Sequence, residues 1–276
     1  MNPKDMKMTQ KEHMQHDFNM CFRAFVTYGI IVLAFYGYVP MWAIVVCNIV
    51  FYFSVYGSIH EVAHGINSHN FTLIDRMVPM PTPVWGGTRV FQETHQRHHV
   101  YFATEKDAWL DYYAGHPLKA LFFCFIGPEH SLYNFIKERG IDREICLNCI
   151  FNLVLSCLGF VLFQKYYLVS LLSIRIVHGI GFFVFNFNLH RSHFSADADY
   201  ATYDRLETVK PFVPLMTLIW GSTLVQSYLY HGRHHSVGNW YAPCQYLEVL
   251  ENTGNYAPHT KEWPIKSIKV FEVSQS

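Results

Sequence analysis

Histidines spaced at i, i+3 and i+4 occur twice in this chain, as His95, His98 and His99 in His-Gln-Arg-His-His and as His231, His234 and His235 in His-Gly-Arg-His-His. On a helix those positions share one face, so each set aims three imidazoles at one point. Imidazole is the commonest metal ligand among side chains, and metal binding is the chemistry that such a set brings. With 17 His in 276 residues, random placement would produce one such triplet in roughly one chain in fifteen, and two in far fewer.

A third motif, His60-Glu61-Val62-Ala63-His64-Gly65, adds two imidazoles at i and i+4. Alone, HExxH also reads as a zinc peptidase in which Glu61 would be the base. The longer metzincin pattern fails because Asn70 stands where the distal His belongs, and a peptidase leaves the six other box histidines without a task. His190, closing Asn186-Phe187-Asn188-Leu189-His190, makes a ninth candidate. One ion cannot use so many ligands, whereas two ions with four or five each can. Ligand type does not select the metal. A redox-inert zinc pair would polarise or hydrolyse; an iron pair would activate dioxygen for attack on an unactivated C–H bond.

The elements that must position these boxes are apolar. Hydrophobic residues make up 51% of the chain and charged residues only 15%, below the roughly 25% of soluble domains. Residues 20–39 and 41–59 are two apolar runs separated by Pro40, and residues 145–163 and 167–189 are two more, separated by Gln164, Lys165 and Tyr166. Each run is long enough to cross about 30 Å of hydrocarbon as a helix. The expected fold is an all-α integral membrane protein with four transmembrane helices in two hairpins and a cytoplasmic histidine-rich cap.

Basic residues orient it. Lys and Arg number four in residues 1–23, eight in 60–144 and seven in 190–276, whereas the two expected outer turns contain only Lys165. The excess marks the cytoplasmic side, which places both termini and every box there. Residues 77–91 and 211–230, apolar but interrupted by Pro, Gly or polar residues, fit interfacial or re-entrant segments that lead into the boxes. Residues 1–19 read as a polar tail, 20–250 as one membrane domain and 251–276 as a cytoplasmic C-terminal tail. No apolar h-region precedes residue 20, so no cleaved signal peptide is expected. The seven Cys are scattered, and the one CxxC, Cys146 and Cys149, opens an apolar run; packing is expected there rather than a disulfide framework. Lys and Arg equal Asp and Glu at 21 each, which offers no footing for nucleic acid.

Together HEVAHG, HQRHH, NxxxH and HGRHH resemble the three histidine boxes and extra ligand segment of the integral-membrane fatty-acid desaturase superfamily, over roughly residues 20–250. The resemblance implies a non-haem diiron centre of two Fe ions, O2 as co-substrate, and two electrons from an external donor of ferredoxin, rubredoxin or cytochrome b5 type. It implies ligands at His60, His64, His95, His98, His99, His190, His231, His234 and His235, with Asn186 holding a metal-bound water. Desaturation of a fatty acyl lipid is the leading expectation. Hydroxylation of fatty acids or lipids and hydroxylation or ketolation of carotenoids occur in the same superfamily with nearly the same boxes. A zinc-dependent membrane hydrolase and a non-catalytic metal-binding membrane protein are the alternatives from other classes.

Arg175 falls about halfway through the fourth run, and a charge there demands a partner. Backbone carbonyls, Asn48 or Asn152 would supply one; the sharper reading is a substrate carboxylate or head group. His69, His116, His130 and His193 are read as surface or hydrogen-bonded residues rather than ligands. Asp107 and Asp111 either orient the second box or face solvent. Tyr36, Tyr38, Trp42, Tyr166 and Tyr167 cluster near the outer turns as interfacial anchors.

Overall fold

The structure, a computed structural model, describes residues 10–65, 80–101, 104–190 and 213–220. Among them every regular element is helical and there is no strand. Helix α1 spans Gln10–Phe35 and α2 spans Trp42–Gly65; α3 covers Thr88–Tyr101, a 3-10 turn Leu110–Tyr112, α4 Pro117–Phe125, α5 Gly127–Arg139, α6 Arg143–His190 and α7 Val213–Trp220.

Helix α1 begins well before the apolar run, so residues 10–19 belong to it rather than to a polar tail. Gln10, Lys11, Glu12, Met14 and Gln15 are strong helix formers and extend the helix without hydrophobic help. Its end is a Schellman motif. Gly37 takes φ +78°, the Gly37 N–H donates to the Ala34 carbonyl and the Tyr38 N–H to the Leu33 carbonyl, which satisfies carbonyls that the last turn would otherwise orphan. Pro40 then lies just outside α2, where its missing N–H does no harm.

Helix α6 is two arms, residues 143–163 and 165–190, because Gln164 leaves helical geometry at φ 48° and ψ −122°. The second arm folds back along the first. The Tyr167 hydroxyl reaches Ser156 Oγ at 3.2 Å, whereas eleven residues of unbroken helix would separate them by about 16 Å. Gly159 permits the approach, since a Cβ there would meet the Tyr167 ring at 2.5 Å. The expected turn at Gln164, Lys165 and Tyr166 is therefore present as a reversal of the chain.

Both reversals lie at one end of the molecule. Ile31, Ala34 and Ile44 are buried together there, with Phe163, Tyr166 and Tyr167 packed around them, and Phe35 meets Phe163 edge-on at 5.5 Å. Tyr36, Tyr38 and Trp42 remain largely exposed. Further along, Asn48 Nδ2 donates to Ser170 Oγ at 3.1 Å and Ser173 Oγ at 2.7 Å, and the Tyr52 hydroxyl lies 2.5 Å from His178 Nδ1. These polar rungs join α2 to the second arm of α6 in an interior where an unpaired amide would be expensive.

Among the described residues the stretch Arg143–Phe187, which takes in both arms of α6, is the one long and apolar enough by length and composition to cross a membrane, and 17% of its most apolar window is buried. Leu147, Ile150, Val154, Phe160, Leu172 and Ile176 project from it into the surroundings. The apolar parts of α1 and α2, Cys21–Phe35 and Trp42–Tyr52, are shorter.

At the opposite end from the reversals, Val90 of α3 packs with Leu132 and Phe135 of α5 and with Ile145 at the start of α6. Residues 80–87 reach α3 without helix. Trp85, Phe91, Trp109, Tyr112, Tyr113, Ile174 and Phe182 join Tyr52 and Ile59 in the largest apolar cluster. The histidines are set against that cluster.

Candidate metal centre

Three helices bring four of the expected ligands together. His60 comes from the last part of α2, His95 and His98 from one face of α3, and His190 from the end of α6. All four are buried, at 1% exposure or less. Ring centroids run 4.7 Å from His60 to His95, 6.0 Å from His95 to His98 and 5.0 Å from His98 to His190. Trp109 backs the row, 4.5 Å from His95 and 4.9 Å from His98.

Local hydrogen bonds fix the protons on two of these rings. His98 Nδ1 stands 3.0 Å from both carboxylate oxygens of Asp107. His190 Nδ1 stands 2.7 Å from the Asn186 carbonyl, one helical turn back. A carboxylate and a carbonyl only accept here, so each Nδ1 carries an N–H, which turns each Nε2 toward the centre. Those two Nε2 atoms face each other at 3.3 Å. Two ligands bound at about 2.0–2.1 Å to one ion, at angles near 90–110°, have nitrogens about 2.9–3.4 Å apart. The 3.3 Å between these two Nε2 atoms falls within that range, so the pair has the spacing of two ligands on one ion.

Two buried atoms at this place have no hydrogen-bond partner among the described residues: Asn186 Oδ1 and Trp109 Nε1. Asn186 spends its Nδ2 on the Phe182 carbonyl at 2.9 Å, which leaves the amide oxygen as the acceptor. It shares a helix face with His190, four residues on. A water beside the histidines would satisfy it.

Asp107 is itself tightly held. It accepts the Trp109 N–H at 2.8 Å on Oδ1 and the Tyr113 hydroxyl on Oδ2, and the Tyr113 ring stacks on His190 at 4.8 Å. Asp111 faces outward instead, paired with Lys119 at 2.9 Å. Of the two aspartates singled out in the sequence, then, Asp107 orients the second box. Trp109 and Tyr113 carry no recognisable motif; their only advance signal is an acidic and aromatic run, Asp107 to Tyr113, just after the box.

The side chains of His64 and His99 lie outside the described residues, as do His231, His234, His235, His69 and His193. Among the described residues, no group of three or more His, Cys, Asp or Glu is gathered closely enough to hold an ion by itself. His116 caps α4, accepting the Leu118 N–H at 3.2 Å. His130 lies 3.2 Å from the Tyr112 hydroxyl and 3.4 Å from Asn134 Nδ2. Burial pushes the His130 pKa down, with Asp111 opposing and Lys119 assisting that shift.

Arg175 has a partner that differs from those expected. Its guanidinium grips Glu129, at 2.9 Å through Nη1 and 2.7 Å through Nη2, rather than backbone carbonyls or an asparagine. Asn48 bonds Ser170 and Ser173, and Asn152 bonds the Asn148 carbonyl. Glu129 arrives from the first turn of α5, outside every apolar run. A substrate carboxylate would have to displace it.

Comparison with protein-family models, with curated proteins and with solved structures finds no match to this chain.

Proposed function

We propose that this chain is a membrane-bound non-haem diiron oxidoreductase and that its leading activity is desaturation of a fatty acyl lipid. The observation that carries the reading is the facing pair of Nε2 atoms on His98 and His190, each with its Nδ1 proton already committed. The ligand set is His60, His64, His95, His98, His99, His190, His231, His234 and His235. When bound, a pair of irons supplies activation of O2 for removing hydrogen from, or inserting oxygen into, an apolar chain.

The chain's own residues do the rest. Asp107 and the Asn186 carbonyl hold the imidazole protons on Nδ1. Asn186 Oδ1 accepts from a water at the centre. Trp109, Phe91 and Phe185 line the row with apolar surface, which excludes bulk water from it.

Four spans in two hairpins are the matching architecture, with both termini and the centre on the cytoplasmic side. Support comes from the back-folded arms of α6, the shared end at which both hairpins reverse, and the apolar residues that α6 exposes. Electrons come from a separate donor of ferredoxin, rubredoxin or cytochrome b5 type.

The test is expression in a lipid-producing host, with metal analysis of the purified protein and mass spectrometry of the lipids. About two irons per chain and a product lighter by two hydrogens are expected. Gain of one oxygen instead would mark a hydroxylase or ketolase of the same chemistry. A protein that holds only zinc after iron-supplemented expression and changes no lipid would sink the reading.

A further inference from the structure

The geometry points to Asp107 and Tyr113 as positioning residues: Asp107 keeps the His98 proton on Nδ1, and Tyr113 braces Asp107 while backing the ring of His190, so one clamp presents both Nε2 atoms to the same ion. This inference rests on the metal-centre reading above.

The clamp is anchored in the helix it serves. Arg97 Nε donates to the Lys106 carbonyl at 2.7 Å, the Asp107 N–H to the Thr104 carbonyl at 3.0 Å and the Thr104 N–H to the Tyr101 carbonyl at 3.0 Å. The Asp107 backbone is thereby tied to α3 itself. Its carboxylate has no rotational freedom either, because the Trp109 N–H holds Oδ1 and the Tyr113 hydroxyl holds Oδ2. Tyr113 follows the 3-10 turn and is 1% exposed. Its ring lies 5.7 Å from His98 and 4.8 Å from His190. One side chain therefore touches expected ligands from two helices that are far apart in sequence.

A purely structural role would affect stability alone, whereas a positioning role must also show in the bound metal. Asp111 provides the control: it is another carboxylate in the same segment, but its partner is Lys119.

The experiment uses the full chain in detergent micelles, stripped of metal and titrated with Co2+, whose d–d absorption reports ligand number and geometry. Asp107→Asn is expected to weaken Co2+ binding by about 10-fold to 100-fold and to change the band shape. Asp107→Glu should recover part of both. Tyr113→Phe keeps the ring on His190 and loses only the hydroxyl, so it should fold and still show a weaker affinity and an altered band. Asp111→Asn should match the wild type in both measures. Wild-type affinity and spectrum in Tyr113→Phe and in any folded Asp107→Asn would overturn the clamp while leaving the metal centre standing. A wild type that takes up no Co2+ would overturn the metal-centre reading and the clamp with it.

Discussion

Arg175 and Glu129 form a two-point ion pair, at 2.7 and 2.9 Å, that fastens the second arm of α6 to the first turn of α5. The pair is partly exposed, 26% for the arginine and 36% for the glutamate. Truncating one partner of a fully buried pair costs about 3–5 kcal/mol, and solvent screening lowers that here to about 1–2 kcal/mol. Glu129→Gln is therefore expected to lower the melting temperature in micelles, and Glu129→Gln with Arg175→Met to recover part of the loss. A single variant that melts with the wild type would mean that the pair contributes nothing.

Replacing His98 or His234 by Ala is expected to abolish turnover and reduce bound iron from about two ions per chain to fewer than one. Membrane insertion should survive in both, because the apolar runs that drive it are unchanged. Carbonate-resistant membrane association and lipid product analysis check the two halves separately. Full activity in either variant would remove its box from the mechanism.

Glu61 separates the oxygenase from the hydrolase. In an HExxH hydrolase that glutamate takes the proton of the metal-bound water, so Glu61→Gln should be nearly inactive. In a histidine-ligated iron pair it orients an imidazole, and its loss costs about 10-fold to 100-fold. Retained metal and O2-dependent turnover are expected in Glu61→Gln. Hydrolysis of a peptide or ester by the wild type without O2, and lost in the variant, would promote the hydrolase.

His130 gives stability a dependence on pH. Its folded pKa is lowered by burial, so between that value and the ordinary 6.5 the unfolded chain binds the extra proton. The linked stability is fully present above about pH 6.5 and declines as pH falls below it. His130→Gln should flatten the fall in melting temperature between about pH 7 and pH 5.5. An unchanged slope would show that other groups set it.

Parts of this molecule are legible in the sequence because the signal is local. The reversal at Gln164 announces itself by three polar or interfacial residues between apolar runs, and the shared face of His95 and His98 follows from helical spacing alone. Asp107 is near enough to His98 in the chain to be suspected. Other features depend on what distant elements bring. Glu129 has no sequence tie to Arg175, so an arginine in an apolar run looks partnerless until α5 is placed beside it. Tyr113 needs the 3-10 turn to swing it under His190. The early start of α1 was hidden for a different reason: hydropathy marks where a helix is apolar, and residues 10–19 are helical by propensity instead.

The facing nitrogens of His98 and His190 are separated by 92 positions, and closing so long a segment is entropically unfavourable until much else has formed. Synthesis proceeds from the amino terminus, so His60, His95 and His98 leave the ribosome well before the second arm of α6 delivers His190. An ion that needs both Nε2 atoms cannot be held by the early portion alone. If the proposed metal centre holds, loading of that ion would act as a checkpoint on completed assembly, one that chains ending before His190 would fail.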